Sequence, residues 1–199
     1  ANSTAYRLSS KLADEKTESA DPNNRLLHRA SVRRLEAEPI RDAMLAAAGR
    51  LDLKMGGPGV PPHLTPYMEG RGRPGRSGPL DGDGRRSVYL NVRRNFLSPF
   101  LLVFDFPPPA TTMGRRNVSN VPAQALTLLN DPFVLEQAKR WADRERQRPG
   151  SDSERLKHAY LTGFGREPDE RETAAALAFL KEVQAEKGEA GAWAELCHG

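Results

Sequence analysis

The chain has one cysteine, Cys197, in 199 residues. It cannot form an intrachain disulfide, so covalent cross-links hold no part of this fold and bridges say nothing of the compartment. Aromatic residues make up only 7% and hydrophobic residues 38%, so any core is small for the chain length. No apolar run is long enough to span a bilayer. Neither charge sign dominates: 30 Lys and Arg face 26 Asp and Glu, for a formal net charge of +4. That balance argues against a dedicated nucleic-acid binder, whose basic residues would dominate one face. Also missing are a nucleophile elbow, a His-Glu-x-x-His metal site and a phosphate loop.

The 17 glycines and 16 prolines are abundant, and much of the chain must be loop. Residues 1–24 are polar and without periodicity, which predicts an extended or disordered lead-in. Leu26, Leu27, Val32, Leu35, Ile40, Met44, Leu45 and Ala48 recur at roughly helical spacing. Pro39 kinks that helix or sits in its first turn, with the helix beginning near Glu38. Gly56-Gly57-Pro58 stops it, and residues 56–86 read as one flexible loop.

Residues 87–93 alternate, with Val88, Leu90 and Val92 on one face, which predicts a short strand. Phe96 to Phe104 forms a strongly apolar segment ended by Pro107-Pro108-Pro109. Ser119 or Asn120 can cap the next helix, with Pro122 in its first turn. Leu126, Leu129 and Phe133 supply its apolar stripe. Pro132 should break it and Asp131 should cap the continuation. Ser151 and Glu154 form a capping-box pattern, Gly165 fits a helix C-cap, and a last helix runs over residues 169–187. The expected core combines Val88, Leu90, Val92, Phe96, Leu101, Phe104, Leu126, Leu129 and Phe133. The fold class is therefore mainly α: an irregular helical domain over residues 25–199, with long Gly/Pro-rich loops and at most a small β element.

Three further motifs have plain structural readings. Ala194 to His198 holds only one cysteine before its histidine, so it is read as helix rather than a haem attachment. Asp81-Gly82-Asp83-Gly84 is read as a turn, because the twelfth position of a calcium loop would fall on Val92. Arg71, Arg73, Arg76, Arg85 and Arg86 form a basic loop that could contact an anion, although aromatic stacking partners are scarce.

The candidate site lies among the apolar segments: Arg93, Arg94, Asp105, Arg115, Arg116, Asn117, Gln124, Asn130 and Asp131. Polar groups there need partners. They form either structural Arg–Asp pairs and caps, or a polar pocket for an anionic or carbohydrate ligand. At least one of the four arginines is expected to pair with Asp105 or Asp131.

The run RRSVYLNVRRNFLSPFLLVFDFPPPATTMGRRNVSNVPAQALTLLNDPFVLEQA (residues 85–138) resembles the planctomycete domain of unknown function DUF1553. NRLLHRASVRRLEAEPIRDAMLAAAGRLDLKMGGP and AYLTGFGREPDERETAAALAFLKE resemble its upstream helix and its C-terminal helical pair, in the family's order. Met113, Asn120 and Pro39 depart from its usual residues. The chain begins inside the domain and ends short of the family's last segment, so it reads as a piece of a longer protein. The resemblance implies a C-terminal part of a large exported or periplasmic protein. Its partners would be upstream domains of the same polypeptide, and any haem c would lie in upstream sequence, with no cofactor in these residues. The reading that follows is a non-catalytic structural or binding module. The alternatives are part of an enzyme acting on polysaccharide or related substrates, with catalytic residues mostly upstream, and an anion- or nucleic-acid-contacting module using the Arg-rich loop.

Overall fold

The computed structural model describes residues 3–11, 14–110 and 112–199. Seven α-helices and three short 3-10 turns occur among the described residues. The chain divides into two compact units, Ala1–Leu35 and Glu36–Gly199.

The first unit is built on local polar turns. The α1 helix (Glu15–Ala20) is capped by Asp14, whose carboxylate accepts from the Lys16 N–H. Asp21 then accepts from the backbone of Arg25 and Leu26 at 2.9 and 2.7 Å. These paired N–H bonds lead the causes that hold its carboxyl below the usual aspartate range. Asn24 takes a positive φ of 50° and grips Arg29 through both ends of its amide. The lead-in thus carries a short helix. The helical stripe expected through Leu26, Leu27, Val32 and Leu35 does not form; all four are exposed in non-helical backbone. Short-range side-chain bonds from Asp21 and Asn24 offer the backbone a local alternative to the helix.

In the second unit α2 (Ala37–Ala47) carries Pro39 in its first turn, where the missing N–H costs nothing. Ala37, Arg41 and Leu45 form its buried stripe at four-residue spacing. The α3 helix (Pro99–Val103) starts on the Ser98 hydroxyl and buries Phe100 and Leu101. The α4 (Pro122–Asn130) and α5 (Pro132–Arg146) helices are separated at Asp131, whose carboxylate accepts from the Phe133 N–H at 2.9 Å. The α6 helix (Asp152–Phe164) has the Ser151–Glu154 capping box and ends on Gly165 in the left-handed region. The α7 helix (Glu170–His198) begins with an Asp169–Glu172 capping box and is interrupted at Gly188, where φ is 72°. Residues after this break, expected as a separate segment, still include the helical stretch around Cys197 and His198.

Two cores sit along α5. At its start Phe133 and Val134 join Ala37, Leu45, Phe100, Leu101 and Phe104. Phe100 meets Phe104 at 5.1 Å between ring centroids and Phe133 at 5.5 Å, edge to face. Further along, Ala142 joins Leu156, Ala176, Leu180, Ala192 and Trp193. The α7 helix packs chiefly along α5, which therefore links both cores.

Two sequence expectations fail here. Residues 87–93 do not form a strand of a sheet. A 3-10 turn covers Ser87–Tyr89, and only isolated parallel bridges form, Asp52 to Arg85 and Val60 to Leu90. Val88 is 71% exposed and Val92 is exposed as well. Alternation needs a neighbouring strand to become a ladder, and the described residues provide none. Leu126 and Leu129 are also outside the core, at 60% and 59% exposure. The α4 helix instead packs through Gln124, its one buried residue. Phe96, Leu101, Phe104 and Phe133 are buried as expected.

Cys197 borders the second core. Burial first, then the nearby charge of Glu145, push its thiol up to about 12. The thiolate is the reactive form. Alkylation of the native chain at pH 8 should therefore be much slower than after denaturation, as followed by mass spectrometry. Equal rates would place the thiol in water.

Candidate functional site

The polar centre of the second unit grows from Arg41, the middle residue of the buried stripe of α2. Its neighbours on that stripe, Ala37 and Leu45, bury it from one turn above and below. The guanidinium must then find partners inside the protein. One terminal nitrogen donates to the Arg85 carbonyl at 3.0 Å and the Ser87 hydroxyl at 3.1 Å. The other donates to the Asp81 carbonyl at 2.6 Å. The group also lies 5.5 Å from the Phe133 ring centroid. Burial pulls Arg41 below the usual arginine range, with Asp42 and Asp81 opposing.

The segment from Asp81 to Ser87 wraps around this charge. Asp81 accepts from Arg50 Nε and a terminal nitrogen at 3.1 and 2.8 Å, and from the Asp83 N–H at 3.0 Å. Asp42 accepts from the Ser87 N–H at 2.8 Å and from its hydroxyl at 2.7 Å. Gly82 and Gly84 have φ of 60° and 70°, in the left-handed region. A Cβ at Gly84 would run into the Arg50 carbonyl, and one at Gly82 would stand 2.6 Å from Arg41. The Asp-Gly-Asp-Gly turn is thus the lining of an arginine clamp, with the Asp81 carboxylate held by the Arg50 fork.

Two small cavities open beside the clamp, of about 60 and 160 Å³, and a wider groove of about 730 Å³ runs past Asp42, Arg86 and Ser87 on its other side. Arg41, His63, Leu80 and Ser98 border both small cavities. Asp131 borders the larger of these two. His63 Nδ1 stands 3.1 Å from the Gly78 carbonyl, which can only accept, so Nδ1 is the donor. Ser98 and Asp131 use their oxygens to start α3 and α5. Drug-sized ligand pockets are about 300–1,000 Å³. The two small cavities suit water or a small ion, whereas the groove past Asp42 and Ser87 is large enough for a ligand but open to solvent and walled mainly by apolar side chains.

The residues expected from sequence fall into separate places. Arg116 pairs bidentately with Glu38 at 2.7 and 2.9 Å and approaches Glu36 at 2.9 Å. At least one of the four arginines is expected to pair with Asp105 or Asp131; Arg116 pairs with the acidic start of α2 instead. Burial is the largest single influence on the Glu38 carboxyl and raises it, but the Arg116 hydrogen bond, its own backbone N–H and the Arg116 charge together hold the group below the usual range. Asp105, at a positive φ of 64°, accepts from the Ser119 N–H and hydroxyl, each at 2.8 Å. Gln124 donates to the Val103 carbonyl at 3.0 Å and to Ser119 at 3.3 Å. Asp105, Ser119 and Gln124 therefore tie the approach to α4 onto α3. Ser119 does not cap α4, whose N-cap is Val121. Arg93, Arg94, Arg115, Asn117 and Asn130 are exposed and are not gathered with these groups. Asn130 donates back to Leu126 at 2.9 Å.

Within the basic loop, Arg85 lies 4.0 Å over the Tyr89 ring and donates to Gly56 at 2.7 Å. Arg73 donates to Met68 at 2.8 Å. Arg71 and Arg76 are exposed. Sequence reasoning missed Arg41, Asp42, His63, Asp81 and Ser87 as one group. The available signal was the spacing of Ala37, Arg41 and Leu45, a charge placed on the apolar face.

A second polar pair lies on α5 and α6. Glu145 is fully buried and accepts from His158 Nδ1 at 2.7 Å. Arg148 Nε stands 3.1 Å from the same oxygen, near enough for charge attraction but misaligned for a hydrogen bond. At the start of α7 the Arg166 fork bonds Glu172 at 2.7 and 2.6 Å. That bond, with the Asp169 N–H, lowers the Glu172 carboxyl to about 2. A depressed carboxyl contributes stability above its unfolded value and loses it as pH falls through the folded one. This contribution should be complete above about pH 4.3 and vanish near pH 2. A carboxyl NMR titration of Glu172 should show the low midpoint, and Arg166→Ala should raise it. A midpoint unchanged by that variant would assign the shift to the helix cap alone.

Among the described residues no three His, Cys, Asp or Glu side chains are grouped as a metal site. None of the described helices is long and apolar enough to cross a membrane. The family model described as PSD1, protein of unknown function (DUF1553), matches residues 1–180. No curated protein and no solved structure matches the chain.

Proposed function

Because the chain belongs to the DUF1553 family, we propose that it is a non-catalytic structural or binding module of a larger exported protein linked to a c-type cytochrome. The observation that carries the reading is the engagement of the polar groups gathered around Arg41 and beside α3. Arg41, Asp42, Asp81 and Ser87 bind one another and the backbone between α2 and the Asp81–Ser87 turn. Asp105, Ser119 and Gln124 do the same beside α3. Glycoside hydrolysis calls for two carboxyls facing a bond from about 5 to 9.5 Å apart. Here Asp42, Asp81 and Asp105 are instead held by donors of the protein itself. Export and the cytochrome link come from the family resemblance, with haem c assigned to upstream sequence.

Two measurements test the proposal together. Fractionation of the source cells should place the native polypeptide in the exported fraction, with covalent haem bands that residues 1–199 alone do not show. The isolated chain should release no reducing ends from a panel of polysaccharides. Cytosolic location or absence of haem would overturn the exported, cytochrome-linked part. Sugar release abolished by an aspartate variant would overturn the non-catalytic part and favour the polysaccharide enzyme.

A further inference from the structure

We propose that α4 is the contact helix of a homodimer, meeting its own copy antiparallel across a two-fold axis. The helix is turned inside out. A surface helix normally lays its apolar stripe on the core and shows polar residues to water. Here the one buried residue of α4 is polar, Gln124, and its amide holds the helix down by donating to the Val103 carbonyl at 3.0 Å. At 3.6 residues per turn, the side opposite Gln124 carries Pro122, Ala125, Leu126 and Leu129. All four are exposed, as are Val118 and Val121 just before the helix. These side chains meet no apolar surface within the chain, and a contiguous apolar face of this kind marks an interaction site.

Charge and area decide what covers it. Residues 117–130 contain no Asp, Glu, Lys or Arg, in a chain that is 28% charged. A two-fold axis sets a surface against itself, so any charge near the axis would meet its own like. A face without charge is what such a contact requires. A lipid surface would call instead for a basic flank, and a charged partner for an opposite charge. The four outward residues and the two valines expose on the order of 500 Å², within the range of functional apolar patches. Apolar surface is about 60% of a protein interface, so an ordinary polar rim brings the contact to roughly 800 Å² per copy, the standard size.

An antiparallel register centred between Ala125 and Leu126 sets Leu126 against the partner's Ala125 and Leu129 against the partner's Pro122. Large side chains then face small ones, which lets the helix axes approach to about 8–10 Å. The positive N-terminal end of each helix lies beside the negative C-terminal end of the other. Such a dimer stands apart from the exported, cytochrome-linked reading and would form in any compartment.

Sedimentation velocity of the 199-residue chain should show a monomer–dimer equilibrium in the micromolar range. Leu126→Asp combined with Leu129→Asp should weaken the dimer about a hundredfold or more, since four carboxylates then crowd the axis. The matching Leu126→Lys, Leu129→Lys chain should also be monomeric, yet the acidic and basic chains mixed should form a heterodimer. Circular dichroism should stay unchanged in both, because the substituted side chains are exposed. Ala125→Cys should cross-link into a dimer on oxidation, whereas Ala123→Cys, on the flank of the helix, should not. A wild-type chain that stays monomeric up to about 200 μM would overturn the proposal, as would a dimer that the paired Asp substitutions leave intact. A monomer recruited to phosphatidylcholine vesicles through these leucines would overturn it in favour of a lipid surface. If the doubly substituted chains fail to fold, the comparison of Ala125→Cys with Ala123→Cys decides.

Discussion

Arg41→Ala should destabilise the chain by about 3–5 kcal/mol in urea unfolding. The substitution removes the only group that reaches both the Asp81 and Arg85 carbonyls and the Ser87 hydroxyl from α2. It also leaves Asp42 and Asp81 with less positive charge around them. The loss of packing against Phe133 adds to the same direction. Net stabilities of domains are about 5–15 kcal/mol, so this single change takes a large share. Arg93→Ala is the matched control. That side chain is exposed, and its loss should stay within about 0.5 kcal/mol. Arg41→Lys should recover only part of the difference, because an ammonium cannot span two carbonyls and a hydroxyl in one plane. Equal melting of the Arg41→Ala and Arg93→Ala variants would show that the Asp81–Ser87 turn is held by other means.

Trp193→Ala is the second large expected loss, about 3–5 kcal/mol. Its ring is almost wholly enclosed by Ala142, Leu156, Ala176, Leu180 and Ala192. The contrast is Leu129→Ala. The sequence places Leu129 on the same apolar stripe as Phe133, and from that alone a loss of about 2–5 kcal/mol would follow. The structure leaves Leu129 on the surface of α4, so the change should cost less than about 1 kcal/mol. Thermal melts of the two variants side by side decide the matter. A large loss at Leu129 would mean that α4 packs its leucines inward.

The family relationship was readable in three ordered blocks of sequence, but the site was not. Arg93, Arg94, Arg115 and Asn117 lie beside apolar segments in the chain. In space they face outward, and nothing in their neighbours' identity forces a turn inward. At least one of the four arginines is expected on Asp105 or Asp131, and Arg116 meets a different carboxylate. Its partner is Glu38, 78 residues away, and sequence spacing does not reveal a contact of that separation.

What the sequence determined by itself is local. Ser151 with Glu154, Gly165 after α6 and Asp131 before Pro132 each set a helix end through bonds within a few residues, and Pro122 starts α4 through its fixed φ. Such bonds form wherever the chain becomes helical, so their pattern is legible without a fold. The tertiary structure decided which apolar faces are covered. Val88, Val92, Leu126 and Leu129 have the right periodicity but meet no partner surface. It also decided the arginine clamp, whose partners lie 40 to 46 residues from Arg41. Burial and long-range pairing depend on where whole elements come to rest, and a one-dimensional pattern carries that information only when every element finds its neighbour.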